Sequence, residues 1–446
     1  MRINTGSGID PKMVDQLIEI EKQPIKNIDV RKKTVQDEKK LFSDLRGLVT
    51  TLGTNSTSFR SMTDFSKLKL TSSNPEILEG TAENTAPTGT YEIEVLQLAR
   101  KQKLLTQSFP DKDETPVGFG YMTIETDTDS FDIDVDPDHS TLQDIVAQIN
   151  SAAKGVRATV LNTKESLEDP DEENFRLLVI NEKSGKQAEV FIDPDTTYLE
   201  FEEDGIPGKN LEMNFEDVKV YNETNKVTDL IKGMTLNAKK AAPGTTVYVT
   251  VDYDIEKTME GIKTFVESYN KVNEFLEKQF KVDQESGHAG PLAKENNLRT
   301  LRRALQGAAQ VSVPNNKKFQ SLADVGISTD PKTGGLKYDD AKLKKSLTDN
   351  YEEVAHLFVQ SENSMGIGAR ISDAVRSSSD PQNGVFPSKE REYKKILDAF
   401  DKDIATKQRY VDQRSEGIKR KFSALEQFVS KFNTQSQAMQ AQLGSG

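Results

Sequence analysis

Apolar residues recur every seven positions at both ends of the chain. Near the N-terminus the series is Val14, Glu21, Ile28, Val35, Phe42 and Val49, with Glu21 its one polar member. Leu17, Leu45 and Leu52 occupy companion positions, while Arg31 and Glu38 interrupt them. This spacing predicts amphipathic helix with a narrow apolar seam, narrower than a stable two-stranded zipper carries. Asp10 reads as the N-cap and Pro11 as the first helical residue. Pro24 removes a backbone donor and disfavours helix at Gln23, so a hinge is expected there, between a short helix and a longer one over about 25–53. The C-terminal series is cleaner: Leu397, Ile404, Val411, Ile418, Leu425, Phe432 and Met439, with Phe422, Val429 and Leu443 adding apolar positions. A helix over 392–443 would be on the order of 75 Å long.

Such helices need partners, because each buried seam residue contributes roughly 1.5–3 kcal/mol only when something covers it. Antiparallel pairing of the two ends would match Val14 with Met439, Ile28 with Leu425, Val35 with Ile418, Phe42 with Val411 and Val49 with Ile404. The alternative is that both seams face a separate globular core or other subunits.

Between the ends the period changes to two. Tyr91, Ile93 and Val95 alternate with Glu92 and Glu94; Val247, Val249, Val251 and Tyr253 alternate with Tyr248, Thr250 and Asp252. This predicts half-buried antiparallel strands. Further strands are expected at 121–125, 131–135, 156–161, 176–180 and 187–192, and one helix at 141–153, capped by Ser140 and Thr141. Turn-rich acidic stretches separate them at 111–120, 165–174 and 202–210. Helix returns over about 256–280 and 292–310. Asp330–Gly335 reads as a hairpin turn between 326–329 and 336–338, and Asp339 caps a helix running through Leu357 and Phe358. The fold class is therefore α+β and multidomain, with antiparallel β-rich domains inserted in a helical frame built from both ends. The expected division is 1–42 with 405–446, 43–75 with 256–404, 76–108 with 218–255, and an outer domain at 109–217.

Charge sharpens the picture of the middle. Of the 446 residues, those from Asp111 to Asp217 include 28 Asp+Glu and 8 Lys+Arg, a net of −20 against −13 for the whole chain. An acidic block of this kind repels phosphate, so nucleic acid is not an expected partner. No run of about 18 apolar residues occurs, so membrane insertion is not expected either. Residues 1–10 lack the basic and apolar regions of a cleavable secretory signal. Cysteine is absent, which excludes disulfides, thiol nucleophiles and Cys-ligated metals. Zero Cys fits cytoplasmic life or export by a route that uses no disulfides.

No catalytic, cofactor or metal constellation emerges. His139, His288 and His356 are isolated and lack metal spacing. Asp127, Asp129, Asp132, Asp134, Asp136 and Asp138 lack the glycine and closing Glu of a calcium loop. Asp132, Asp134 and Asp136 alternate with Ile133 and Val135, as the solvent face of a strand does. Gly6 and Gly8 follow no strand, Gly118 and Gly120 fit a turn, and Lys317–Lys318 is too short for a nucleic-acid patch.

Several blocks resemble the hook-associated protein 2 family, the caps of bacterial flagellar filaments. These are GSGID at Gly6–Asp10, then Gln23-Pro24-Ile25 leading into a long helix, and YEIEVLQLARKQKL at Tyr91–Leu104. In the C-terminal half they are GPLAKENNLRTLRRAL at Gly290–Leu305, SLADVGISTDPKTGGLKYDDAKLKKSL at Ser321–Leu347 and FSALEQFVSKFNTQSQAMQAQL at Phe422–Leu443. STLQDIVAQINSAAKGVRATVLN at Ser140–Asn162 resembles a motif of flagellin-type hypervariable domains.

The resemblance implies a non-enzymatic scaffold, exported unfolded and extracellular at the distal tip of the flagellum. It implies a ring of about four to six copies that holds incoming flagellin while it folds and inserts. Implied partners are flagellin, hook–filament junction proteins, the flagellar export apparatus and an export chaperone. The terminal helices would form the leg that engages the filament, through Val14, Leu17, Ile28, Val35, Phe42, Val49, Ile404, Val411, Ile418, Leu425, Phe432 and Met439. Alternatives are a hook–filament junction protein or flagellin-like subunit, an adhesin acting through the acidic β-rich domain, and a cytoplasmic coiled-coil scaffold.

Overall fold

The computed structural model describes residues 11–163, 174–195, 197–202, 205–282, 287–313, 318–360 and 364–443. Asp10, Lys317 and nearly all of the acidic stretch at 165–174 lie outside the described residues. The chain divides into two compact units, Met1–Phe65 with Thr258–Gly446, and Ser66–Lys257.

The first unit is helical. One helix runs without interruption over Pro11–Asn55, with Pro24 inside it. The expected division at Pro24 is thus corrected. A proline removes one hydrogen bond, here to the carbonyl of Ile20, and both residues face solvent. Water can satisfy that carbonyl, so the break is not enforced. The last helix spans Val385–Leu443 and starts earlier than expected. Pro387 sits in its first turn, where a backbone N–H has no intrahelical acceptor.

Between these lie Ile255–Phe280 and Asn296–Gln310, the latter preceded by a short 3-10 turn at Pro291–Lys294. The hairpin pairs Ile327–Thr329 with Leu336–Tyr338, as the turn residues predict. Polar side chains of the neighbouring helices hold it. Asn270 accepts from the Leu336 N–H at 2.7 Å and donates to the Leu336 carbonyl at 2.8 Å, and Asn273 donates to the Thr333 carbonyl at 2.9 Å. Asp339 caps Asp340–Asp349 by accepting from the Lys342 N–H. That helix then breaks at Asn350 (φ −155°, ψ 63°) and resumes as Tyr351–Phe358, where one helix was expected. Helix Ile367–Ser378 follows. It approaches closely: a Cβ on Gly368 would lie 2.5–2.7 Å from the Phe59 side chain. Phe59, Phe65, Phe265 and Phe358 stack around that point.

The second unit is β-rich with two cores. One is a five-stranded antiparallel sheet in spatial order Leu68–Ser72, Thr246–Tyr253, Gly89–Gln97, Leu211–Phe215 and Val218–Asn222. The alternation read from sequence sets its faces: Ile93, Val95, Val247, Val249 and Val251 are buried, joined by Leu78, Met234 and Leu236 of a three-stranded sheet. The other core is built mostly from the acidic block, joined by Phe109 and strand Lys101–Leu105 from ahead of it. Strands Ser130–Val135, Gly120–Glu125 and Phe191–Asp193 form one antiparallel sheet; Lys101–Leu105, Phe175–Ser184 and Val156–Asn162 form another. Helix Leu142–Ala152 presents Leu142, Ile145 and Ile149 to this core. Its capping box is complete: the Thr141 hydroxyl accepts from the Asp144 N–H and the Asp144 carboxylate accepts from the Thr141 N–H. Residues 187–190 of the expected 187–192 strand are irregular. Asp132 and Asp134 are exposed between buried Ile133 and Val135, on the solvent face that their alternation predicts.

A candidate assembly interface on the terminal helices

The first and last helices pack antiparallel against each other, and aromatic residues fix where. The Phe42 ring lies 5.2 Å from that of Phe386 and 5.9 Å from that of Tyr393. Ion pairs mark the same alignment: Arg46 with Glu390, Lys32 with Asp401, and Glu21 with Arg414 at 3.3 Å. These pairs are exposed to half-exposed, and each is worth about 0.2–1 kcal/mol, so they specify alignment more than they stabilise. Phe42 therefore meets Tyr393, and the expected partner Val411 lies about five helical turns away. All the matches built on that alignment, from Val14 with Met439 to Val49 with Ile404, are displaced with it.

The physical reason is that a seven-residue repeat matches itself after every heptad shift, so it cannot choose its own offset. Size does. Phe386, Tyr393 and Phe400 form a second seven-spaced series that sequence reading passed over. Its first two members are buried with Phe42, Leu45, Val49 and Leu52.

The root of the last helix is locked by charge as well. The Lys389 ammonium pairs with Glu295 at 2.8 Å and Glu392 at 2.9 Å, and lies 5.2 Å over the Tyr393 ring. Burial pulls its pKa down, but the two carboxylates outweigh burial and hold it above the ordinary lysine value. Burial, with Glu295, Glu38 and Glu392 nearby, pushes the Tyr393 hydroxyl up.

Coverage fades along the helix pair. Phe42 and Val49 are buried, as are Ile25 and Val411, near the Glu21–Arg414 pair. Ile28, Val35, Ile404, Ile418 and Val14 are half-buried, while Leu17 is exposed. Beyond Glu21 the described part of the first helix runs only about 15 Å to Pro11, whereas the last helix continues about 44 Å from Arg414 to Leu443. On that extension Leu425 is 47% exposed, Phe428 67%, Phe432 62% and Met439 63%. The twelve seam residues thus grade from buried (Phe42, Val49, Val411) through half-buried to an uncovered set, Leu17, Leu425, Phe432 and Met439. Phe428 joins the uncovered set; sequence reading missed it because it falls between the two apolar series.

Among the described residues, no group of three or more His, Cys, Asp or Glu is placed to hold a metal ion, and no helix is long and apolar enough to cross a membrane. A 920 Å³ cleft lined by Thr34, Glu38, His288, Lys294 and Arg299 lies beside the first helix.

Comparison with known proteins places this arrangement. Residues 208–434 match the family described as flagellar hook-associated protein 2 C-terminus, and residues 7–102 match its N-terminus. The B-type flagellar hook-associated protein 2 of Pseudomonas aeruginosa is 25% identical over 99% of this chain and 94% of its own length. The flagellar hook-associated protein 2 of Escherichia coli is 25% identical over 97% of this chain and 96% of its own. The crystal structure of the flagellar cap protein from Escherichia coli superposes with a TM-score of 0.60 at 25% identity, covering 79% of this chain and 99% of that one. Long paired terminal helices framing antiparallel β-rich domains, in this company, define a structural protein of the flagellar filament cap. The chain belongs to the flagellar hook-associated protein 2 family.

Proposed function

We propose that this chain caps the filament as a ring-shaped homo-oligomer, and that the uncovered end of its last helix is the surface that grips filament subunits. The uncovered stripe at Leu425, Phe428, Phe432 and Met439 supports the reading. Burying each against a partner helix would contribute roughly 1.5–3 kcal/mol, offset by the cost of association. The sum suits a contact that forms and is exchanged as subunits add.

In this reading 1–42 with 405–446 is the leg and the rest of the helical unit carries it; the expected bound at 75 moves back to 65, because strand Leu68–Ser72 pairs with Thr246–Tyr253. The β-rich parts contribute to the ring, with the expected bounds 76–108 with 218–255 and 109–217 shifted, since Lys101–Leu105 pairs with Phe175–Ser184 and Leu211–Phe215 with Gly89–Gln97. Val14 and Leu17 extend the gripping surface. Pro24 acts as a bending point within a continuous helix, since its missing hydrogen bond lowers local stiffness. The protein works outside the cell at the distal tip, after export, and its role is mechanical rather than catalytic. Its partners are copies of itself, flagellin, the hook–filament junction proteins, and the export apparatus with its chaperone.

The test is Leu425→Asp combined with Phe432→Asp, expressed in cap-deficient cells. Filaments should fail to elongate while the purified protein melts as the unaltered chain does. Filaments of ordinary length would overturn the assignment.

A further inference from the structure

The two units carry opposite charge. Ser66–Lys257 holds 38 acidic and 19 basic residues, a net of −19; the remainder holds 34 and 40, a net of +6. One side of one sheet in the β-rich unit gathers four of these carboxylates with no basic residue among them. In the sheet of Ser130–Val135, Gly120–Glu125 and Phe191–Asp193, the register places Tyr121 beside Asp134, Thr123 between Asp132 and Asp193, and Glu125 between Ser130 and Phe191. Opposed residues of an antiparallel pair share a face, so these eight side chains form one surface. Its reverse side, Met122, Ile124, Ile133, Val135 and Ile192, is core.

The outward surface is unusual in composition. Tyr121 is 59% exposed and Phe191 64%, among four carboxylates, and the three strands contain no Lys, Arg or His. Tyr198 is also exposed, close to where Gly118 bridges Thr197 at the end of the same ladder. Solvation needs carboxylates but not aromatic rings, and a single exposed ring would be unremarkable. Rings set among carboxylates suit a partner that brings cations on an apolar surface: the carboxylates pair with the charges and the rings take cation–π and apolar contact.

We infer that this face docks the basic helical unit of a second copy of the chain. Charge complementarity supports the choice of occupant, because the chain itself supplies the opposite sign in its other unit. The contact is heterologous, with different surfaces meeting, which is the geometry that closes into rings. The inference rests on the proposed ring and names one of its contacts.

The test uses the full chain and measures its self-association by sedimentation velocity. Tyr121→Ser with Phe191→Ser should weaken self-association at least tenfold while leaving the thermal transition in place, since neither side chain is in the core. Asp132→Asn with Asp134→Asn should flatten the decline of association between about 0.05 and 0.5 M salt. The Leu425→Asp, Phe432→Asp variant should self-associate within twofold of the unaltered chain, so loss of filament grip and loss of docking are read separately. The inference is overturned if the full chain stays monomeric throughout, or if the Tyr121→Ser, Phe191→Ser variant associates normally. It is equally overturned if Tyr121→Ser and Phe191→Ser abolish binding to a glycan array but leave self-association intact; the face would then be a sugar platform.

Discussion

The last helix is one element with two characters. From Val385 to about Arg414 the large residues Phe386, Tyr393 and Val411 are buried; from there to Met439 the same seven-residue repeat continues with Ile418 half-buried and Leu425, Phe432 and Met439 exposed. Pattern alone does not distinguish these stretches, and their local helix propensities do not oppose each other. The difference lies in what stands opposite. A repeat that is covered stabilises the monomer, and a repeat left uncovered is available to another molecule.

The comparison is tested most severely by truncating an aromatic on each stretch. Phe42→Ala removes a side chain that is 1% exposed and packed on Phe386 and Tyr393. It should cost about 3–5 kcal/mol in urea unfolding. Phe428→Ala on the uncovered stretch should change monomer stability by less than about 0.5 kcal/mol. Equal losses would mean that the two stretches are not different in kind.

A smaller effect is expected at the body against which the helix roots. Gly368→Ala pushes a methyl group into the Phe59 ring and should cost about 1–3 kcal/mol. It should leave filament grip unchanged at a temperature where the unit is still folded, as measured by elongation in cap-deficient cells.

The turn Glu216–Asp217 is a control in the other unit. It links Leu211–Phe215 to Val218–Asn222, and both residues have positive φ, 49° and 61°. Two-residue hairpins of this kind favour Asn-Gly. Glu216 also accepts from the Glu92 N–H at 2.8 Å. Asp217→Gly alone keeps that bond and should stabilise the β-rich unit by about 1 kcal/mol, with no change in either stretch of helix.

The smallest expected signal is a pH response at the hairpin. Asp330 accepts from the N–H groups of Thr333 and Lys332 and pairs with Lys337 at 3.1 Å, which lowers its pKa to about 2. A folded value below the ordinary one means the contribution is complete above about pH 4 and is lost as pH falls through 2. The Lys332 and Thr333 amide resonances should shift over that window in NMR spectra, and Asp330→Asn should remove the shift.

Much of this was legible in the sequence because it depends on local rules. Period two placed Ile93, Val95, Val247 and Val249 inside, the Thr141 cap marked a helix start, and DPKTGG marked the hairpin. The alignment of the terminal helices was not legible, since a heptad series is indifferent to shifts along its own length. Bulky contacts at Phe42, Phe386 and Tyr393 decide it, and they are long-range facts. Pro24 misled for the opposite reason: its penalty is local and real, but solvent at Ile20 and packing further along the helix outweigh it. The break at Asn350 had no strong local signal, because neither Gly nor Pro stands there. The uncovered stripe could be named residue by residue, though its exposure follows only from how far its partner helix reaches.

The central claim is that the distal stretch of the last helix grips filament subunits. The most direct measurement places a photo-crosslinking amino acid at position 428 of the full chain during filament growth. The account predicts an adduct with flagellin at the growing tip. Filaments that elongate normally while position 428 links only to the chain's own first helix would contradict it.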